Sequence, residues 1–268
     1  MKNALIVSTI FFAVNFNLIN LAALPADVSG LKQQNAPNRP TIGQRIARIF
    51  GQPGRNKIAD TTGRGSGSRE GCPATDEELI AIVPVSDDSS YSTFLEQTIS
   101  SMPTLYFYVP FPPGLGLTAE LNVDLDEETV HQNQIDLEQG PGLIPVKITT
   151  PLEDDQEYRW TFTVICSLDN ASQNPYVDGW LKKQSEDSLP VTIDNTLQDE
   201  QRLQIFIENL LWFDMLQQII ELQSDPNSGI YSEAWLETLC LTALSPETVT
   251  EIVGYKAECV AISSSENL

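Results

Sequence analysis

Apolar and polar residues alternate at period two in several short runs along the middle of the chain, and the clearest is RWTFTVIC. Tyr158, Trp160, Phe162, Val164 and Cys166 fall on one side there, with Arg159, Thr161 and Thr163 on the other. That is the pattern of a half-buried antiparallel strand. Similar runs predict strands at Leu79–Val85, Thr104–Pro110, Leu117–Leu125, Thr129–Leu137, Leu143–Thr149 and Tyr176–Gln184, the last with Trp180 inward. Asp126, Glu127 and Glu128 form the turn of a hairpin between the third and fourth of these runs. Short strands separated by turn signals are expected of a β-sandwich.

The period then changes. Leu203, Phe206, Leu210, Phe213, Leu216 and Ile220 recur at helical spacing, widened by Trp212 and Ile219. They predict one long helix over 197–222, buried on more than one side. The stretch SDPNSG breaks it. Ser232 is expected to cap a second helix carrying Trp235, Leu236 and Leu239, and Ser245-Pro246-Glu247 to start a third.

The turn before the best strand is specific. Leu152 stands six residues ahead of Tyr158 across the acidic turn of LEDDQEY. In immunoglobulin-like and fibronectin-type sandwiches, such a Tyr packs beneath the corner and hydrogen-bonds backbone upstream. Leu152, Tyr158 and Trp160 are therefore the expected structural corner. The fold class is α+β. A seven-to-eight-stranded antiparallel sandwich of immunoglobulin/fibronectin-like type spans 72–193, and three C-terminal helices over 194–258 pack on it as one unit. The polar tail covers 259–268.

Charge separates the N-terminal part from this body. Residues 1–70 hold nine Lys or Arg against three acids, and the remainder holds six against 34, for a net charge of -22. A body this acidic repels phosphate backbones and is expected to remain monomeric, so nucleic acid is a poor partner. Residues 1–26 read as a signal peptide. Lys2 precedes an apolar core, small residues follow at Ala22, Ala23 and Ala26, and Asp27 starts the polar chain. No later run is long and apolar enough to span a membrane. The expected location is the periplasm or outside the cell. Residues 27–71 are rich in Pro, Gly, Gln, Asn and Ser, and are expected to be a disordered basic linker. Only TIGQRIARIFGQ has helical periodicity, with Ile42, Ile46, Ile49 and Phe50 on one face.

Four cysteines, Cys72, Cys166, Cys240 and Cys259, suit two disulfides in an exported chain, and three pairings exist. Cys72 with Cys166 and Cys240 with Cys259 is the favoured set. With no CxxC spacing and one His, a zinc site is not expected.

Several motifs occur together in order: GRGSGSREGC, VPV, PTLYFYVP, PLEDDQEYRWTFTVIC, LLWFDMLQQIIELQ and AWLETL. In that order the chain resembles a cyanobacterial family catalogued as domain of unknown function nine-two-eight, over about residues 64 to 250. The resemblance implies an exported protein of a Gram-negative photosynthetic cell. It carries over no catalytic residues.

Candidate chemistry is sparse. His131 lies on a predicted strand and is expected to face solvent, and no GxSxG motif or phosphate-binding glycine loop accompanies it. Asp124, Asp126, Glu127 and Glu128 crowd one turn, and Glu153, Asp154 and Asp155 another. Such clusters can bind calcium or hydrolyse glycosides, but solvated turns are the expected reading. Trp212, Phe213 and Asp214 set an acid beside two aromatics and form a candidate interaction site, with a helix–sheet contact as the plainer reading. Tyr106, Tyr108 and Phe111 form a second candidate face, with a core strand preferred. The expected function is a non-enzymatic exported binding or scaffolding protein acting on an envelope protein or polymer, without cofactors. A carboxylate-based hydrolase and an accessory partner of an extracytoplasmic sensor are the alternatives. Two carboxylates buried in one apolar cleft would favour the hydrolase.

Overall fold

A computed structural model describes residues 39–52, 55, 61–65, 72–86, 92–138, 140–193, 197–223 and 229–259. The chain divides into two units, Met1–Arg39 and Pro40–Leu268, and the second is the subject below. The expected signal peptide and the tail beyond Cys259 lie outside the described residues.

Among the described residues eight strands form two sheets. They are β1 (Ile80–Ala81), β2 (Leu95–Thr98), β3 (Thr104–Val109), β4 (Thr118–Leu125), β5 (Glu128–Asp136), β6 (Gly142–Lys147), β7 (Glu157–Ile165) and β8 (Tyr176–Lys183). One sheet has the order β1-β3-β6 and the other β2-β8-β7-β4-β5. Phe107 of β3 stacks on Phe162 of β7 with ring centroids 4.0 Å apart, and meets Trp160 edge-on at 5.8 Å. The inner faces of the two sheets therefore close on one another.

The period-two pattern of β7 is realised fully. Tyr158, Trp160, Phe162 and Val164 are all buried. Trp160 lies opposite Val123 on one side and Gly179 on the other. A side chain at Gly179 would collide with the Trp160 ring, which accounts for a glycine inside a strand. The corner forms as well. Leu152 and Tyr158 are buried, and the Tyr158 hydroxyl accepts a 2.8 Å bond from the Glu153 amide. The turn carries Asp155 at φ 61°, and its amide donates to the Lys183 carbonyl.

The sheets are not purely antiparallel. β2, which the pattern did not reveal, runs parallel to β8 along its edge. Its alternation is inverted, with Glu96 and Thr98 buried and Leu95 and Gln97 half-buried. The strand expected over Leu79–Val85 pairs with β3 only at Ile80 and Ala81, and Val85 forms an isolated bridge to Thr93. Beyond Ala81 the chain turns toward the helices, where the Ile82 carbonyl accepts the Trp212 indole N–H at 2.9 Å.

The helical layer holds five helices among the described residues. These are α1 (Ile42–Phe50), α2 (Asp199–Glu208), α3 (Trp212–Gln223), α4 (Gly229–Cys240) and α5 (Pro246–Val253). The expected long helix is two, because Leu210 adopts φ 59° between α2 and α3. A straight helix cannot bury an all-round apolar surface against one sheet. The break lets Leu203, Phe206 and Ile207 pack in one direction and Trp212, Leu216 and Ile219 in another. Left-handed backbone at a leucine costs on the order of 1–2 kcal/mol, which this burial offsets. The next helix begins at Gly229, ahead of the expected Ser232 cap. The last begins as expected, with Ser245 capping Thr248 and Pro246 in the first turn.

The basic segment corrects the linker expectation. Where it is described, it is built into the body. Thr41 and Gln44 close a capping box on α1, and Ile42, Ile46 and Phe50 are buried. The Thr41 hydroxyl donates to Glu233 of α4, and the Phe50 ring meets Trp212 edge-on at 5.1 Å. Residues 61–65 form a strap between the sheets, bridging Thr62 to Asp178 of β8 and Arg64 to Ile80 of β1. The linker composition hid one apolar anchor, α1, and one strap over 61–65 that is held by backbone pairing.

Both favoured disulfides are present. Cys72–Cys166 and Cys240–Cys259 have Cα separations of 5.1 and 5.3 Å.

The corner yields a test. Tyr158→Phe removes the acceptor of the Glu153 amide and is expected to cost about 1–2 kcal/mol. Leu152→Ala leaves a cavity and is expected to cost about 2–5 kcal/mol. Urea titration checks both; a neutral result for each would remove the corner as a stabilising element.

Candidate functional site

Trp212, Phe213 and Asp214 open α3, and the structure turns all three toward the sandwich. Trp212 and Phe213 are buried. Asp214 accepts the Ile99 amide at 3.1 Å on Oδ2, together with bonds from the Thr98 hydroxyl and the Ser100 amide. Burial pushes its carboxyl up to about 6 despite these donors. The triplet is a helix–sheet contact that ties α3 to the end of β2.

Beside it lies a group that sequence reasoning missed. Glu96 of β2 is almost fully buried and accepts Arg55 Nη2 at 2.6 Å. Arg55 also donates to the Phe50 carbonyl at the end of α1, and its guanidinium lies 4.5 Å from the Phe94 ring centroid. The second carboxylate oxygen of Glu96 is buried without a hydrogen-bond partner. Burial outweighs the attraction of Arg55 and raises the carboxyl to about 7. Glu96 and Thr98 share the buried side of β2, so both raised acids serve one junction of α1, β2 and α3. Glu96 is sealed from solvent and clamped by Arg55, and Asp214 is occupied by backbone donors. Only a composition signal existed for Glu96, an acid inside a short β-prone run. Nothing in the sequence paired it with an arginine 41 residues away.

His131 was expected to face solvent and instead is buried on the inner side of β5, opposite Val123. It shares that side of the strand with Asn133 and Ile135, in the unbroken part of the β4–β5 register. Its Nδ1 lies 3.1 Å from the Thr150 hydroxyl, and burial lowers its pKa, which favours the neutral ring. Asp126 and Glu127 form a two-residue turn with φ 48° and 70°, while Asp154 pairs with Lys183. Among the described residues no group of three or more His, Cys, Asp or Glu is placed to hold a metal ion. Tyr108 and Phe111 are buried, and Tyr106 is half-buried near Glu221. The aromatic face thus supports the helices.

The exposed chemistry lies at one end of the sandwich. The registers Val109↔Gly142, Thr118↔Asp136, Thr118↔Ile165 and Thr163↔Tyr176 bring residues 110–117, 137–138, 140–141 and 166–175 out together. Leu115 is 46% exposed and Leu168 95% exposed. The loop carrying Leu168 is braced. Asn174 Oδ1 accepts the Cys166 and Ser167 amides at 2.9 Å, Asn170 accepts from Ser172, and Cys72 ties its base. The first two loops also touch, since a side chain at Gly140 would collide with the Phe111 carbonyl.

Residues 64–251 match the model of the family described as Domain of Unknown Function (DUF928), and the chain belongs to that family. No curated protein and no solved structure matches it.

The buried pair predicts a pH dependence. The native chain holds protons on Glu96 and Asp214 that the unfolded chain releases, between pH 4.5 and about 7 and between 3.8 and about 6 respectively. Their contribution to stability is therefore full in acid and lost as pH rises through those windows. Arg55→Met leaves Glu96 as an uncompensated buried anion at pH 8, at an expected cost of about 3–5 kcal/mol. The cost is smaller at pH 5, where Glu96 is neutral. Denaturation of variant and parent at both pH values checks the difference; equal costs would contradict it.

Proposed function

We propose that this DUF928 protein is an exported, non-enzymatic binding or scaffolding protein of the cell envelope that presents the loop end of its sandwich to a partner. The observation that carries this reading is Leu168, almost wholly exposed on a loop held by a disulfide and by Asn174. A single exposed apolar side chain is ordinary, but apolar side chains gathered at one end on braced loops mark an interaction surface. Leu115 stands on a neighbouring loop at the same end.

The strand order supports an immunoglobulin-like assignment. With β1, β3 and β6 as one sheet and β8, β7, β4 and β5 in the other, the strands follow the A-B-E and G-F-C-C′ arrangement. Loops at one end of that sandwich are the binding loops of variable domains. Such loops read as binding surfaces, and the fold alone would not. Export rests on the apolar leader of residues 1–26 and on the paired cysteines, which suit an oxidising compartment. No described helix is long and apolar enough to cross a membrane.

Two outcomes test the proposal. Expressed with its leader in a Gram-negative host, the chain is expected in the periplasmic fraction with a new N-terminus after Ala26 and no free thiol. Leu115→Ser with Leu168→Ser is expected to leave thermal stability within about 1 kcal/mol and to abolish cross-linking to a native envelope partner. An uncleaved cytoplasmic chain, or a double variant that cross-links as well as the parent, would overturn it.

A further inference from the structure

We propose that the outer edge of β5 is a strand-addition site for an extended, basic segment of a partner protein. This surface is separate from the loop end and does not rest on that reading.

A strand at the rim of a sheet offers unpaired N–H and C=O groups to any passing chain, and folded proteins cover, shorten or guard such rims. The two sheets have four rims: β1, β6, β2 and β5. Three are closed. β1 has two residues and is bridged by the strap, with Ala81 N donating to Gly63 O at 2.9 Å and Gly65 N to Leu79 O at 2.6 Å. β2 has four residues and is fastened to α3 through Asp214. β6 carries exposed Pro145 and Lys147, the residue types that guard an edge.

β5 has none of these features. It runs for nine residues, ETVHQNQID, without Pro, Lys or Arg. It pairs with β4 along its length, and among the described residues no segment pairs with its other side. Most of its residues are exposed or half-buried, and among the described residues none bonds its outer backbone groups.

Its charge identifies the occupant. Glu128 and Asp136 mark the two ends, and β4 adds Glu120 and Asp124 with no Lys or Arg. Asp126, Glu127 and Glu138 flank it. Antiparallel pairing with a second copy about Gln132 would set Glu128 against Asp136 twice. Parallel pairing would set each acid against its own copy. Like charges directly opposed are unfavourable, so the edge disfavours itself. A strand with basic residues at both ends meets complementary charge at each, while its backbone completes the ladder.

The test uses the full mature chain and three synthetic ten-residue peptides. One alternates Thr and Val with two Lys at each end. A second replaces the Lys with Glu. A third is the Lys peptide with alternate amides N-methylated. The Lys peptide is expected to slow hydrogen exchange of amides within Glu128–Asp136 and to weaken as salt is raised. The N-methylated peptide is expected not to protect them, and the Glu peptide to bind roughly tenfold more weakly or less. Glu128→Lys with Asp136→Lys, at exposed positions, is expected to reverse the preference between the Lys and Glu peptides. Equal binding by all three peptides, protection elsewhere than β5, or a parent chain that sediments as a dimer with β5 already protected would overturn the assignment.

Discussion

Backbone groups along the rim of a two-sheet sandwich need partners, and the rest of this molecule is arranged around supplying them on one side. The strap over 61–65 pairs β1 and β8 at once. β2 then extends the β8 edge in parallel, and α3 fastens β2 through Asp214. α1 lies against Trp212 and α4, so the N-terminal segment and the C-terminal helices form one layer. The arrangement has an electrostatic cost. Placing β2 there puts Glu96 in the interior, and Arg55 crosses from the end of α1 to meet it. A buried ion pair of this kind adds little net stability, but losing one member is expensive. It therefore acts as a lock on register between α1 and β2.

The strong periodicities were legible in the sequence. β3 to β8, the Tyr158 corner, both disulfide pairings and the Ser245 cap follow from local signals that tertiary context did not override. The missed elements share a physical cause. β2 inverts its pattern because its buried polar residues are satisfied by partners distant in sequence, and no local window contains an Arg55 or an Asp214. α1 carries helical periodicity but sits in a composition that resembles disorder, and its stability comes from the groove that receives it. The α2–α3 break arises because two packing directions compete for one apolar run. His131 faces inward at period two with Ile135 and Leu137, a facing that the polar Gln132, Asn133 and Gln134 between them obscured. The candidate site was legible only as an absence of catalytic motifs. Leu168 looks ordinary in sequence, and only the loop geometry makes it conspicuous.

The closed side and the open side have different roles. The helical layer consumes the aromatic and acidic residues that the sequence singled out, including Trp212, Phe213, Asp214 and Tyr108. Asp136 ends β5, and Leu137 and Glu138 lead on from it.

Native-state hydrogen exchange on the isolated mature chain tests this division most directly. If the strap and α1 close one side, amides in 42–50 and 61–65 exchange as slowly as those of β7, through global unfolding alone. The outward amides of β5 then exchange much faster than their inward neighbours. Rapid exchange across 42–65, as in a free linker, or protection of β5 equal to that of β7, would contradict the account.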